Sequence, residues 1–371
     1  MNTKSLGDDS NQSSPSVAAS EPPKSRSQVT LKTLARHLEL SPSTISIVLN
    51  QRPIARGIPR TTQERIFRAA RDLGYRPNLL ARSLRNQRTQ SIGVLVPEID
   101  STYVTGVVAG LESPMLARGY HCLVGSHHSD RGVSQDQLDR LRQQRVEGLV
   151  VVATSLLESP GLPTVSVAGR RLLDGVTNVV IDHDHAAVLA LEHLKTLGHR
   201  RIAFLRGPAT NEDAQDRWRA IQHHSVRLGL AIDPALVRKL SGTATESPHR
   251  HVDGYREGAR MARDLLERGP VFTALFAFND LTAIGAIRAL QESGLRIPDD
   301  VSVVGFDDLH HAAFQNPSLT TVRQPLDSMG ETAGEVLLGR LRGEAGWPSQ
   351  VTIEPTLQVR ESTGPARSLA A

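Results

Sequence analysis

Residues 274–308 read ALFAFNDLTAIGAIRALQESGLRIPDDVSVVGFDD, in which two short, nearly continuous apolar runs, 274–280 and 301–308, bracket an amphipathic stretch over 281–292. Runs of this length suit strands, and a strand without polar alternation is one buried on both faces. A helix between two such strands is the crossover that a parallel pair needs. The segment therefore predicts a strand–helix–strand unit of a covered parallel sheet.

The pattern continues outward. RIAFLRG (201–207) precedes it, with helices expected over 212–228 and 253–267. Further upstream come IGVLVP (92–97), HCLV (121–124), EGLVVVA (147–153), PTVSVA (163–168) and NVVID (178–182), with helices expected over 104–118, 134–145 and 186–197. Two such series predict an α/β protein with two doubly wound lobes rather than one large sheet. Ligands of open parallel sheets sit outside the carboxyl ends of the strands, so a cleft between the lobes is the expected small-molecule site. Downstream, LTTVRQPL (319–326), a helix over 327–342 and VTIEPTLQVRES (351–362) are expected to cross back between lobes. Lobe 1 is then about 90–181 and 326–350, and lobe 2 about 182–325 and 351–365, with a tail at 366–371.

The first 90 residues differ. Residues 1–25 are rich in Ser, Pro and Asn with almost no large apolar side chain, too little to offset the entropy of ordering, and a disordered tail is expected. In VTLKTLARHLELSPSTISIVLN (29–50), Leu31, Leu34, Ala35 and Leu38 share one helical face and Ile45, Val48 and Leu49 another, with a break at Leu40-Ser41-Pro42. Thr30 and Ser41 are good N-caps, and Pro42 falls at a first helical position, where its missing N–H costs nothing. A third helix is expected over Thr62 to Leu73, stopped by Gly74. Three short helices with a basic surface make a helix-turn-helix headpiece at 26–75. After it, NLLARSLRNQRTQ places Leu80, Ala81 and Leu84 on one side of a short cationic helix within 76–89 that would form only against a partner.

Charge sharpens this division. The chain has 43 Lys and Arg against 39 Asp and Glu, a net +4, but residues 1–25 contribute −1, residues 26–90 contribute +10 and residues 91–371 contribute −5. A basic block on an acidic body is the electrostatic footprint of a domain that neutralises phosphates. Other classes lack support. Cys122 is the only cysteine, which excludes an intramolecular disulfide and a multi-cysteine zinc module and suits a reducing cytoplasm. No apolar run spans a bilayer, and the N-terminus has no signal-peptide core. The histidine pairs at 127–128, 223–224 and 310–311 lie in unrelated segments and are expected on the solvated surface, with no metal site. No P-loop, nucleophile elbow or Cys-His context supports an enzyme or a bound cofactor.

Five fragments in order, VTLKTLARHLELSPSTISIVLN, GYRPNLLARSLR (74–85), LGHRRIAFLRGP (197–208), the 274–308 unit and LTTVRQP (319–325), resemble the LacI/GalR family of bacterial transcriptional regulators. That resemblance implies a helix-turn-helix headpiece, a hinge helix, and a two-lobed effector domain of the periplasmic-binding-protein type that dimerises. Its implied function is a repressor whose grip on a pseudo-palindromic double-stranded operator is set by a small effector, a sugar or related polar metabolite. An activator or corepressor-dependent regulator is the alternative within the family. A solute-binding protein would share the lobes but has no use for residues 26–88.

Residue by residue, the resemblance implies that Thr30, Ser41, Pro42, Ser43, Thr44, Ile47, Asn50 and Tyr75 serve DNA binding, with the second helix entering the major groove. Many relatives carry Arg where this chain has Ile47, which can make only apolar contact with a base edge. The loop QRPIARGIPRTT (51–62) is about three residues longer than usual and adds Arg52, Arg56 and Arg60. Asn78, Ala81 and Leu84 match the hinge, where the Leu wedges into the minor groove and kinks it. Arg217, Asn279 and Asp307 match ligand-gripping positions, and Tyr103 stands at an aromatic place of the pocket. Leu326 and His249 stand where relatives often carry aromatics, which removes stacking faces for a sugar ring. Residues 361–371 hold no leucine heptad, so a dimer is expected rather than a tetramer.

Overall fold

The computed structural model describes residues 29–50, 53–75, 88–209, 211–240, 253–269 and 271–368. The expected tail at 1–25, His249, and the hinge residues Asn78, Ala81 and Leu84 lie outside the described residues. The chain divides into two units, Met1–Asn86 and Gln87–Ala371.

In the first unit, α1 (Leu31–Leu38), α2 (Pro42–Leu49) and α3 (Arg60–Asp72) surround Leu34, Leu38, Ile45, Val48 and Ile66, all buried. Thr30 caps α1 in a reciprocal box with Thr33, and the Ser41 hydroxyl accepts from Thr44 N at 3.0 Å. Gly74 adopts φ +66, the left-handed geometry that ends α3. That helix starts two residues before the expected Thr62, because the loop ahead of it is itself ordered. Residues Pro53–Gly57 form a 3-10 turn with Ala55 buried, and the Gln63 amide donates to Ala55 O and Ile58 O, each at 2.9 Å.

The second unit holds two six-stranded sheets. Lobe 1 has β1 (Ser91–Val96), β2 (His121–Ser126), β3 (Gly148–Val152), β4 (Thr164–Val167), β5 (Val176–Ile181) and β11 (Gln350–Ile353) in the order β11-β5-β4-β3-β1-β2. Lobe 2 has β6 (Ile202–Arg206), β7 (Val237–Lys239), β8 (Ala274–Ala277), β9 (Ser302–Asp307), β10 (Thr320–Arg323) and β12 (Thr356–Gln358) in the order β12-β10-β9-β8-β6-β7. All pairs are parallel except β10 with β12. The central strands β3, β4, β8 and β9 are buried along their whole length, as unbroken apolar runs require.

Helices cover both sheets. Lobe 1 carries α4 (Thr102–Ala117), α5 (Arg131–Gln143) and α11 (Leu326–Leu341). Lobe 2 carries α6 (His183–Thr196), α7 (Glu212–Arg227), α8 (Gly254–Glu267), α9 (Asp280–Glu292) and the short α10 (His310–Phe314). In each lobe one helix pair meets backbone to backbone over glycine. A Cβ on Gly110 or Gly330 would fall inside the Asp327 or Val107 carbonyl oxygen, joining α4 to α11, and one on Gly258 or Gly285 would do the same at Thr282 or Tyr255, joining α8 to α9. The chain passes between lobes three times: after β5, between β10 and α11, and at Glu354-Pro355. The last crossing lies beyond the expected 350/351 boundary because β11 pairs in register with β5, Val351 opposite Val179.

Candidate functional site

The carboxyl ends of the strands hold the unusual backbone. His128 and Ser129 after β2, Ala153 after β3, Ala168 after β4, and Asp307 and Asp308 at the end of β9 all have φ between +48 and +109 without being glycine. Each costs on the order of 1–3 kcal/mol, and such residues gather at binding sites. Both lobes thus hold strained backbone at the strand ends where a cleft ligand is expected.

At the centre of this region is Arg217 on α7, 5% exposed. Its Nη2 donates to Asp213 Oδ2 at 3.0 Å, one turn earlier, and its Nη1 donates to Phe278 O. Its guanidinium carbon lies 3.5 Å from the Phe306 ring centre and 4.8 Å from that of Phe278, so the cation lies over two aromatic rings. The other Asp213 oxygen receives His183 Nε2 at 2.7 Å. Burial pushes the Asp213 carboxyl up, yet His183, Arg217 and Arg170 together hold it well below the usual carboxylate range. Burial drives His183 down in turn, with Asp213 opposing and the Arg217 and Arg170 charges adding to the lowering.

Asp307 closes the cluster. Burial raises its carboxyl to about 7 against the opposing pull of Arg217 and of Gln324, whose Nε2 donates to Oδ1 at 2.6 Å. Tyr103, at the start of α4 in lobe 1, is pushed well above the ordinary phenol value by burial and by Asp213 and Asp307, with Arg217 opposing. Lobe 1 therefore reaches the lobe 2 cluster through this ring. Three buried polar atoms here have no protein partner: Tyr103 OH, Arg217 Nε and His183 Nδ1. Buried polar atoms are almost always paired, so a group of orphans in one place calls for an occupant.

Tyr103, Arg217 and Asp307 are thus brought together. Asn279 stands beside them but first caps α9, its Oδ1 accepting from Thr282 N at 3.0 Å and Thr282 Oγ1 at 2.6 Å, which leaves its amide nitrogen for a ligand. Leu326 is half-buried against Gly106 of α4, where a Cβ would sit 3.0 Å from Leu326 Cδ1. Sequence reasoning missed Asp213 and His183. The Asp-x-x-x-Arg spacing of Asp213 and Arg217 on a helix was the available signal; nothing local marks His183. The expectation that the paired histidines are surface residues fails for His127 and His224, which are buried against Thr154 (2.9 Å) and Asp184 (2.9 Å). Strand-end and helix contacts gave both a hydrogen-bond partner that composition does not reveal.

In the helix-turn-helix unit, Ser41, Pro42 and Ser43 are exposed and Thr44 and Ile47 partly so, while Ser46 is buried. Asn50 turns back to its own helix, its Nδ2 donating to Ser46 O at 2.6 Å. Thr30 is engaged in its cap, and Tyr75 packs on the small core with its N–H on Ala70 O at 2.8 Å. Lys32, Arg36, Arg56, Arg60, Arg68 and Arg71 are exposed, while Arg65 Nη2 donates back to Leu38 O at 3.3 Å. The second helix itself bears no charge, so phosphate attraction comes from its neighbours.

Known proteins share this architecture. Residues 191–363 match the periplasmic binding protein-like domain. A lac repressor dimer bound to operator and the anti-inducer ONPF superposes with a TM-score of 0.79 at 27% identity, covering 91% of this chain and 99% of that one. The HTH-type transcriptional repressor PurR of Haemophilus influenzae is 31% identical over 343 residues, 90% of this chain and 98% of the relative. The chain belongs to the LacI/GalR family of transcriptional regulators. A further member of known structure, the transcriptional regulator CelR in complex with cellobiose, superposes with a TM-score of 0.65 at 28% identity over 90% of this chain and 99% of that one. These relatives are regulators rather than enzymes. Among the described residues no helix is long and apolar enough to cross a membrane, and no group of three or more His, Cys, Asp or Glu is placed to hold a metal ion.

Proposed function

We propose that this LacI/GalR-family protein is a cytoplasmic, dimeric repressor that reads a pseudo-palindromic operator and is controlled by a small polar effector between its lobes. The observation that carries the reading is the cluster at Arg217, where orphaned donors from both lobes converge in buried surroundings. Because Arg217 is already charge-paired with Asp213, the site has no surplus cation for an acidic ligand. An uncharged, hydroxylated molecule fits better, taking Arg217 Nε and Tyr103 OH as donors and the Asn279 amide as a third. Such a ligand binds one arrangement of the lobes more tightly than another, and that difference is the coupling to DNA.

A thermal-shift screen of neutral sugars, polyols and nucleobases identifies the effector, and Arg217→Ala then tests the site. The variant is expected to bind operator like the parent but to lose the effector's influence on that binding, read by fluorescence anisotropy with labelled duplex. An Arg217→Ala protein that still responds refutes the assignment. By resemblance, Leu84→Ala weakens operator binding with effector affinity unchanged.

A further inference from the structure

The stretch 76–89, in which the short cationic helix is expected, ends on residues that lobe 1 grips. The division between the two units falls between Asn86 and Gln87, which places Arg88, Thr89 and Gln90 in the second unit. The Gln90 N–H donates to Glu147 Oε1 at 2.7 Å, and Arg88 Nε donates to Glu147 Oε2 at 3.1 Å. The Thr89 hydroxyl donates to Arg145 O at 2.7 Å. Tyr120 closes a triangle, its hydroxyl donating to Glu147 Oε2 at 3.1 Å and accepting from Arg88 Nη2 at 2.8 Å.

This is not an ordinary surface ion pair. Glu147 is 14% exposed in its side chain, and Tyr120 is buried. A carboxylate withdrawn this far from water strengthens each bond it accepts and makes the loss of a donor costly. Burial and the Glu147 charge push the Tyr120 phenol up, with Arg88 opposing, so the hydroxyl stays a donor at neutral pH. Gln90 is in the left-handed region at φ +53 without being glycine. It is held there from both sides, by Glu147 on its N–H and by His121 N, which donates to Gln90 O at 2.9 Å. Backbone of this kind persists only where its surroundings over-determine it, and it gathers where function needs a fixed geometry. Arg88 counts among the basic residues of 26–90, yet its charge is set against Glu147.

We propose that Glu147 is a positioning residue for DNA binding: through Arg88, Gln90 and Tyr120 it fixes the point at which the chain leaves lobe 1 for the helix-turn-helix. A hinge segment that forms only against a partner must be ordered at the moment of binding, and a fixed root leaves fewer residues to order. Without Glu147, residues 88–90 lengthen the connection, and the effective concentration of one headpiece beside its half-site falls once the other is bound. Arg88 is thereby assigned to the anchor rather than to a phosphate, unlike the exposed arginines of the helix-turn-helix unit.

Fluorescence anisotropy of the full chain with a labelled duplex, selected by the parent protein from a randomised pool, tests the anchor. Glu147→Gln, which replaces an acceptor by an amide N–H, is expected to weaken that binding about tenfold. Arg88→Gln and the double variant are expected to lose a similar factor, because residues of one network are not additive. In all of them the slope of log K against log salt is expected to match the parent, since no phosphate contact is lost. Arg88 is 58% exposed in its side chain, so Arg88→Gln keeps the test if Glu147→Gln does not fold. A slope lowered by about one in Arg88→Gln gives that side chain to a phosphate and overturns the proposal. So do losses that add in the double variant, parent-like affinity in Glu147→Gln, or a loss no greater than the unfolded fraction that urea denaturation assigns to it. No effector is added, so these outcomes stand apart from the Arg217→Ala test of the cleft.

Discussion

Asp213 is the side chain on which the cleft depends most. It is the countercharge of a guanidinium that is 5% exposed, and it is also the acceptor for His183. Asp213→Ala leaves Arg217 buried and uncompensated, a change that costs about 3–5 kcal/mol when a buried pair is broken. Urea denaturation of the variant is expected to show that loss, with Asp213→Asn losing less because it keeps an acceptor for Arg217. Asp307 behaves in the opposite sense. Its carboxyl is raised to about 7 by burial, whereas an unfolded chain titrates it near 3.9. Between those values the folded state holds more protons than the unfolded state, so this group makes stability fall as pH rises from about 4 to about 7. Asp213, depressed, contributes stability above the unfolded value and loses it as pH falls. Asp307→Asn is accordingly expected to lose less stability than the parent between pH 5 and pH 8, measured by urea midpoints at both values. An equal loss in both proteins assigns the slope to other groups.

At the level of elements, the two glycine-packed helix pairs fix each lobe as a body without slack. Gly330 and Gly285 meet backbone rather than a flexible side chain, so an added methyl forces the helices apart. Gly285→Ala and Gly330→Ala are each expected to cost about 1–3 kcal/mol, as overpacking does, visible as a lowered urea midpoint. The Ser41 cap is more modest, and Ser41→Ala should cost about 1 kcal/mol while also weakening operator binding. The long apolar strands and their crossover helices were legible because burial on both faces leaves an unbroken apolar run, as in VSVVGFDD. The strands β7, β11 and β12 were not, since each is three or four residues long and carries Arg, Lys, Gln or Thr on half-exposed edges. The 3-10 turn at Pro53–Gly57 was hidden for a different reason: it is held by the side chain of Gln63, ten residues beyond its first residue, and no local period announces that. Within the site, the arginine and carboxylate positions were legible by resemblance, but Asn279 and Asn50 also serve their own helices, a use that only hydrogen-bond geometry reveals.

Across the whole molecule, charge and topology separate the tasks. The +10 of residues 26–90 sits on a stretch whose Lys32, Arg36, Arg56, Arg60, Arg68 and Arg71 are exposed, while many arginines of the −5 body are ion-paired with its own carboxylates. Operator affinity is therefore expected to fall steeply with salt, with Arg56→Gln lowering the slope of log K against log salt by about one if that side chain meets a phosphate. The three crossings between lobes have a further result for biosynthesis. The helix-turn-helix is one contiguous stretch, complete by residue 75, whereas lobe 1 waits for α11 and β11 and lobe 2 waits for β12, all of which follow Pro325. A nascent chain thus carries unpaired strand edges on β5 and β10 until its final segment leaves the ribosome, the kind of edge that recruits other chains. A product that ends after Tyr75 but before Leu326 keeps the described residues proposed to contact DNA and lacks a finished version of either lobe. Such fragments are expected to aggregate on size exclusion, and a cell that makes them is left with operator-binding units that no effector can dismiss.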